Sequence, residues 1–430
     1  MQSTPKRVLF FMPVRQQKLD FPCICQNFVV PLHAECVQTT KEIIIPFNTM
    51  KILLVIDTYD TNNNGTSISA QRFAGVLRKH GHEVKILTTG KPAPDKFALK
   101  EFKVPVFNDL IHSHGFQFAK VDLDIIREAV QWADVVHCMM PFALETATKL
   151  IADELHKPST AAFHIQPENI TSSAGMGKAK LLNDRLYHTF KFLLYQHFNH
   201  IHVPSQFMAD ELIKRGYKAQ IHVISNGIDP DFIAAGEKKM EHQPQRDFRD
   251  DGLINILMVG RLSKEKRQDV IINAVPLSKY ADRIQLIFAG KGPKYRSYVK
   301  LGQQLKNPPQ FVFLPKPELI DLLLRTDLYI HASDMESEAI SCIEAFATGL
   351  VPIIANSEES ATPQFALDGR SLFAPGRPKD LARSIDYWLD HPQEKTKMER
   401  EYVTFAKRYD IDESVRQCEQ MFQAAIDENK

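Results

Sequence analysis

The sequence predicts an α/β protein built from two doubly wound parallel sheets in tandem. Three observations carry this. From Met50 onward, short apolar runs alternate with helical stretches. The runs are continuously apolar, as strands covered on both faces are. The alternation breaks near residue 233 and restarts at Ile254. A chain of 430 residues has room for two or three domains.

Residues 1–49 show no sustained period. They read as an extension, either a disordered tail or a start codon assigned upstream of Met50. The first domain, 50–232, carries strand candidates at 51–57, 83–88, 135–140, 160–165, 200–203 and 222–225. Helical stretches such as 67–80, 122–133 and 206–215 lie between them. A charged, turn-rich segment at 233–252 reads as a linker. The second domain, 253–408, has strand candidates at 254–260, 284–290, 311–314, 328–332 and 351–355. A C-terminal helix at about 409–430 is expected to pack back on the first domain. The two Rossmann-like domains are expected to face each other across a cleft.

Lys+Arg number 53 against Asp+Glu 52, a net charge of +1, so bulk charge gives no reason to expect nucleic acid as a partner. No apolar run reaches the ~18–20 residues of a membrane span. Six scattered cysteines lack zinc-knuckle spacing and suggest a reducing, cytoplasmic compartment. No metal or other cofactor is expected.

The densest signal is Glu336-Ser-Glu-Ala-Ile-Ser-Cys-Ile-Glu344. Two carboxylates stand eight residues apart, about 2.2 helical turns. They are expected on one helix face, with Glu336 at or just before its start. Acids at the C-terminal end of a strand suit the hydroxyls of a sugar or ribose. Gly260-Arg-Leu-Ser-Lys-Glu-Lys266 leaves the second domain's first strand directly. Its glycine, its two cations and the helix start after it suit a diphosphate, though a solvated basic loop is the plain alternative. Ala289-Gly290-Lys-Gly292 ends the next strand, but Tyr295 breaks a dinucleotide fingerprint. Gly65 sits in a polar loop after the first strand, ahead of a helix that Thr66 or Ser67 would cap. His164 closes another first-domain strand, where it is either a cleft residue or a structural histidine. The helical stretch 176–198 carries Lys178, Lys180, Arg185 and Lys191 among Leu, Phe and Tyr, a mixture that suits an anionic membrane surface or an ordinary amphipathic helix.

Taken together, these motifs resemble retaining GT-B glycosyltransferases with the paired-glutamate (E-x7-E) signature, and in particular bacterial diacylglycerol α-glycosyltransferases. The resemblance implies GT-B architecture and transfer of a hexose from a nucleotide-diphosphate sugar, UDP-glucose first, to a hydroxyl acceptor such as a membrane diacylglycerol. It places Arg261 and Lys266 on the diphosphate, Glu336 on the sugar and Glu344 on the ribose. Gly65, Gly260, Gly290, Ala339 and Ile340 border the donor, and His164 lies near the sugar. Arg261, Lys266, Glu336 and His164 would be catalytic. No Asp-x-Asp stands in a suitable place, so the mechanism is expected to be metal-independent. The protein would sit peripherally on the inner face of the cell membrane. The alternatives are a polysaccharide or small-molecule acceptor, or a nucleotide-sugar epimerase of the same fold. The chain departs from the family pattern at Ser337-Glu338-Ala339, where Gly-Phe-Gly is usual, and has one glycine, Gly65, in the first loop.

Overall fold

The computed structural model describes residues 49–61, 65–103, 117–173, 179–242 and 252–430. The extension, up to residue 48, and Lys178 lie outside them.

The first domain contains β1 (Lys51–Val55), β2 (Glu83–Thr89), β3 (Lys96–Leu99), a short antiparallel pair β4 (Glu101–Phe102) and β5 (Phe118–Ala119), then β6 (Val135–Cys138), β7 (Ser159–Ala162), β8 (His200–Val203) and β9 (Gln220–Val223). Seven of these form one parallel sheet in the order β3-β2-β1-β6-β7-β8-β9. The second domain contains β10 (Ile254–Val259), β11 (Ile284–Ala289), β12 (Gln310–Val312), β13 (Leu328–His331), β14 (Pro352–Ala355) and β15 (Leu372–Phe373). Its order is β12-β11-β10-β13-β14-β15. In both sheets the chain runs outward from the first strand, then returns and builds on that strand's other side. The switch point falls between β1 and β6, and between β10 and β13, which is where such sheets bind ligands.

The strands form where the sequence is apolar without a break. Ile52, Leu53, Leu54 and Val55 in β1, and every residue of β11, are buried, because helices cover both faces. The strands that the sequence did not signal, β3, β4, β5 and β15, are two to four residues long and only partly buried.

The expected linker 233–252 needs correction. Residues Pro230–His242 are a helix. Pro230 presets the first turn, and Phe232 and Ile233 join the second domain's core. A Cβ on Gly236 would stand 1.9 Å from the Ala347 carbonyl oxygen, so glycine lets this helix press against helix Ile340–Ala347.

The chain crosses between the domains twice, and the crossings pair. Ile228 N–H donates to Tyr409 O at 2.7 Å, and Ile411 N–H to Ile228 O at 3.1 Å. Helix Ile411–Glu428 then packs on helix Gly65–Lys79 and on β6, β7 and β8. Val415, Cys418, Met421 and Phe422 join the first domain's core.

Candidate active site

The C-terminal ends of β10, β11 and β13 meet at the second domain's switch point. A Cβ on Gly290 would lie 1.9 Å from the Gly260 carbonyl oxygen. The two strand exits therefore touch backbone to backbone, which only glycine permits. The loop from Gly260 turns back on itself, held where Gln268 Nε2 donates to Arg261 O at 2.9 Å. Arg261 is half-buried beside it. The turn carries Lys266 to β13, where its ammonium pairs with Glu336. Glu336 Oε1 is also 2.9 Å from His331 Nε2. Burial acts to raise the Glu336 pKa, but Lys266 and His331 outweigh it and hold the carboxyl at about 2. Glu336 is thus a fixed anion set against a cation that a phosphate could claim.

Glu336 is not on a helix. The helix begins at Ile340, so Glu336 and Glu344 do not share one helical face. The Glu336 backbone bridges to Ser360, and its carbonyl accepts from Ala361 N–H at 2.8 Å. Ala339 caps the helix with φ 75°, left-handed backbone that disfavours a Cβ. This is the position where the family pattern has glycine. Ile340 opens the helix, and Glu344 lies in its second turn, buried. Burial raises the Glu344 pKa, opposed by Arg72, whose Nη2 stands 3.1 Å away. Arg72 lies on helix Gly65–Lys79 of the other domain, so this pair spans the cleft.

Glu338 makes a second cross-domain contact. It accepts from the Ser225 hydroxyl, from Asn226 N–H at 3.0 Å and from Asn226 Nδ2 at 2.6 Å. Burial pushes its pKa up to about 7. The sequence shows Glu338 as an extra acid beside the sugar site; in the fold it serves the interdomain joint.

Gly65 is the first residue of helix Gly65–Lys79, so Thr66 and Ser67 lie inside the helix and do not cap it. Ser67 Oγ instead donates to Thr58 O at 2.6 Å. Among the described residues, a Cβ on Gly65 would meet nothing within 4 Å.

His164 follows β7 and is 8% exposed. Both ring nitrogens are buried with no hydrogen-bond partner among the described residues. Burial, with His202 and His137 nearby, lowers its pKa well below the usual imidazole value.

The basic helix runs Lys180–Leu193. Tyr187 and Phe190 face the core, while Leu181 and Phe192 are 85% and 69% exposed. Lys180, Arg185 and His188 are exposed with them. Lys191 differs: its ammonium donates to Gly216 O at 2.7 Å and sits over the Tyr217 ring. It locks a neighbouring turn and does not face outward. No helix among the described residues is long and apolar enough to cross a membrane.

Sequence reasoning missed His331, Arg72 and the partners of Glu338. A signal for His331 was present, since it ends the otherwise apolar run Leu328-Tyr-Ile. Arg72 gave none.

Two parallel α/β domains with a cation–carboxylate site at the cleft define a GT-B glycosyltransferase. The chain belongs to the group 1 glycosyltransferases: the family described as "Glycosyl transferases group 1" matches residues 239–405, and "Glycosyltransferase Family 4" matches residues 63–232. It is similar to an alpha-monoglucosyldiacylglycerol synthase of Streptococcus pneumoniae, 26% identical over 322 residues, 71% of each chain. It is also similar to a GDP-mannose-dependent alpha-mannosyltransferase of Mycolicibacterium smegmatis, 26% identical over 71% of this chain and 79% of the relative. Among solved structures, Anabaena HepE in complex with UDP and glucose shares the fold at a TM-score of 0.64, with 16% identity, over 87% of this chain and 100% of its own.

Proposed function

We propose that this glycosyltransferase moves a hexose, probed first as glucose from UDP-glucose, onto the hydroxyl of a membrane lipid such as diacylglycerol, with retention and without a catalytic metal. The observation that carries the transfer chemistry is the Lys266–Glu336–His331 cluster at the switch point, beside Arg261. When the donor's diphosphate takes Lys266, Glu336 is released to accept hydroxyls of the sugar while His331 keeps it in place. The barrier is departure of the nucleoside diphosphate. Arg261 and Lys266 stabilise the charge that develops there, and a diphosphate oxygen can take the acceptor's proton. Glu344 is the ribose ligand in this reading. Closure of the cleft excludes water that would hydrolyse the donor.

The lipid acceptor is supported by two observations. One is the likeness to the diacylglycerol synthase. The other is the exposed face of Leu181, Arg185 and Phe192, which combines apolar and cationic groups as a membrane-surface helix does. In this reading the protein works peripherally, on the inner face of the membrane.

The test is donor turnover by purified protein in EDTA, with UDP-glucose, UDP-galactose, UDP-GlcNAc or GDP-mannose, with and without diacylglycerol in anionic vesicles. Release of nucleoside diphosphate that requires the lipid is expected. Lipid-independent release moves the acceptor to a polysaccharide or small molecule. Interconversion of the sugar nucleotide without release makes the protein an epimerase.

A further inference from the structure

Away from the donor site, three side chains capable of binding a metal lie together inside the first domain, and a fourth borders them. His137 lies in β6, His202 in β8 and Cys418 on helix Ile411–Glu428. One ligand atom from each lies within 4.8 Å of the other two, and all three residues are buried. His164, after β7, lines the same small cavity. The cavity holds about one water-sized body.

The hydrogen bonds around the cluster leave lone pairs on its histidines. His202 Nε2 is 2.7 Å from the Ile224 carbonyl, which can only accept, so this nitrogen carries the proton. Its Nδ1 therefore holds a lone pair, and it is buried without a partner among the described residues. His137 Nδ1 is 2.8 Å from the Thr160 hydroxyl, which can accept, and in that tautomer Nε2 is the nitrogen with a lone pair to offer an ion. An outer partner that fixes the tautomer and ring angle is the usual companion of a metal-bound histidine. The His164 ring stands edge-on to His202, 4.8 Å between centroids, with both nitrogens buried and unpartnered among the described residues. Three unpartnered buried nitrogens beside a thiol are costly without an occupant.

The geometry points to a structural zinc site formed by His137, His202 and Cys418, with His164 placed to take the fourth position. Nitrogen and thiolate donors in a closed, four-coordinate set suit zinc. Tetrahedral zinc needs its donors roughly 3.4 Å apart. Side-chain shifts of about 1 Å would close the present separations. On binding, the Cys418 S–H gives its proton to solvent and the thiolate bonds the ion. The site would staple the C-terminal helix to the first domain's sheet, just beyond the crossing at Ile228 and Ile411. It has no part in the transfer chemistry proposed above, and it stands or falls independently of it.

The test is metal analysis of the full chain, purified without a polyhistidine tag and passed over chelating resin. About one zinc per chain is expected, with a lower Tm after its removal at mildly acidic pH with a strong chelator. Cobalt reconstitution should give a thiolate-to-cobalt charge-transfer band. Cys418→Ser should lose that band and most of the zinc while its near-ultraviolet circular dichroism stays native. Should that variant fail to fold, His137→Gln is assayed for the same zinc loss, and the wild-type cobalt spectrum still reports the thiolate. A folded wild-type chain that carries no zinc and takes up no cobalt overturns the site. So does zinc that a folded Cys418→Ser or His137→Gln variant retains in full.

Discussion

Arg72 and Glu344 are ion-paired across the cleft at 3.1 Å, although 272 residues separate them. Glu344 is the more deeply covered partner, its side chain 10% exposed against 27% for Arg72. Removing Arg72 strands a covered carboxylate. Arg72→Gln should therefore lower stability by about 1–3 kcal/mol. The double variant with Glu344→Gln should recover part of that loss, with a coupling of at least ~0.5 kcal/mol in urea unfolding. Strict additivity would show that the pair carries no energy.

Glu336 and Lys266 are read as partners that separate when donor binds. Glu336→Gln should cut kcat roughly 100-fold or more, with native circular dichroism. Lys266→Ala should weaken nucleoside diphosphate binding measured by calorimetry, since the phosphate loses its cation. Unchanged kinetics in Glu336→Gln would remove that residue from the mechanism.

Glu338 gives the protein a defined pH dependence. Burial raises its folded pKa from the ordinary carboxyl value of 4.5 to about 7. The folded state thus keeps a proton that the unfolded chain releases, so the group's contribution to stability is complete below 4.5 and declines as pH rises to about 7. The full window is worth roughly 3 kcal/mol. Glu338→Gln cannot titrate, and its Tm should climb relative to wild type between pH 5 and pH 8. Parallel Tm curves would mean that Glu338 is already ionised in the folded protein.

The helix Lys180–Leu193 separates surface from structural cations. Reversing Lys180 and Arg185 to Glu should reduce co-sedimentation with anionic vesicles several-fold or more, at ~1 kcal/mol per charge near the surface. Leu181→Ser with Phe192→Ser should weaken binding at all salt concentrations. Lys191→Glu should instead lower Tm, because its ammonium holds the Arg215 and Gly216 carbonyls. A variant set with unaltered sedimentation would leave this face without a membrane role.

Much of the site was legible because it depends on short segments. Gly260, Arg261 and Lys266 share one strand exit, and Gly290 the next; their chemistry is set by where an apolar run stops. The helix start was misjudged because Ser337, Glu338 and Ala339 give no local stop signal. The loop there is fixed by the bridge to Ser360 and by Glu338 reaching Ser225 and Asn226. Residues 233–242 read as a linker because their charges are frequent, yet Phe232, Ile233 and Gly236 fit them to helix Ile340–Ala347.

Local sequence was enough for two doubly wound sheets, the positions of their main strands along the chain and the loops that follow them. Apolar periodicity and turn residues act over a few residues, and these features ask for nothing more. Long-range packing brings Arg72 to Glu344, buries His164, and gathers His137, His202 and Cys418. Those relationships join residues from separate strands and helices. They exist only once both sheets are formed and the C-terminal helix has returned to the first domain.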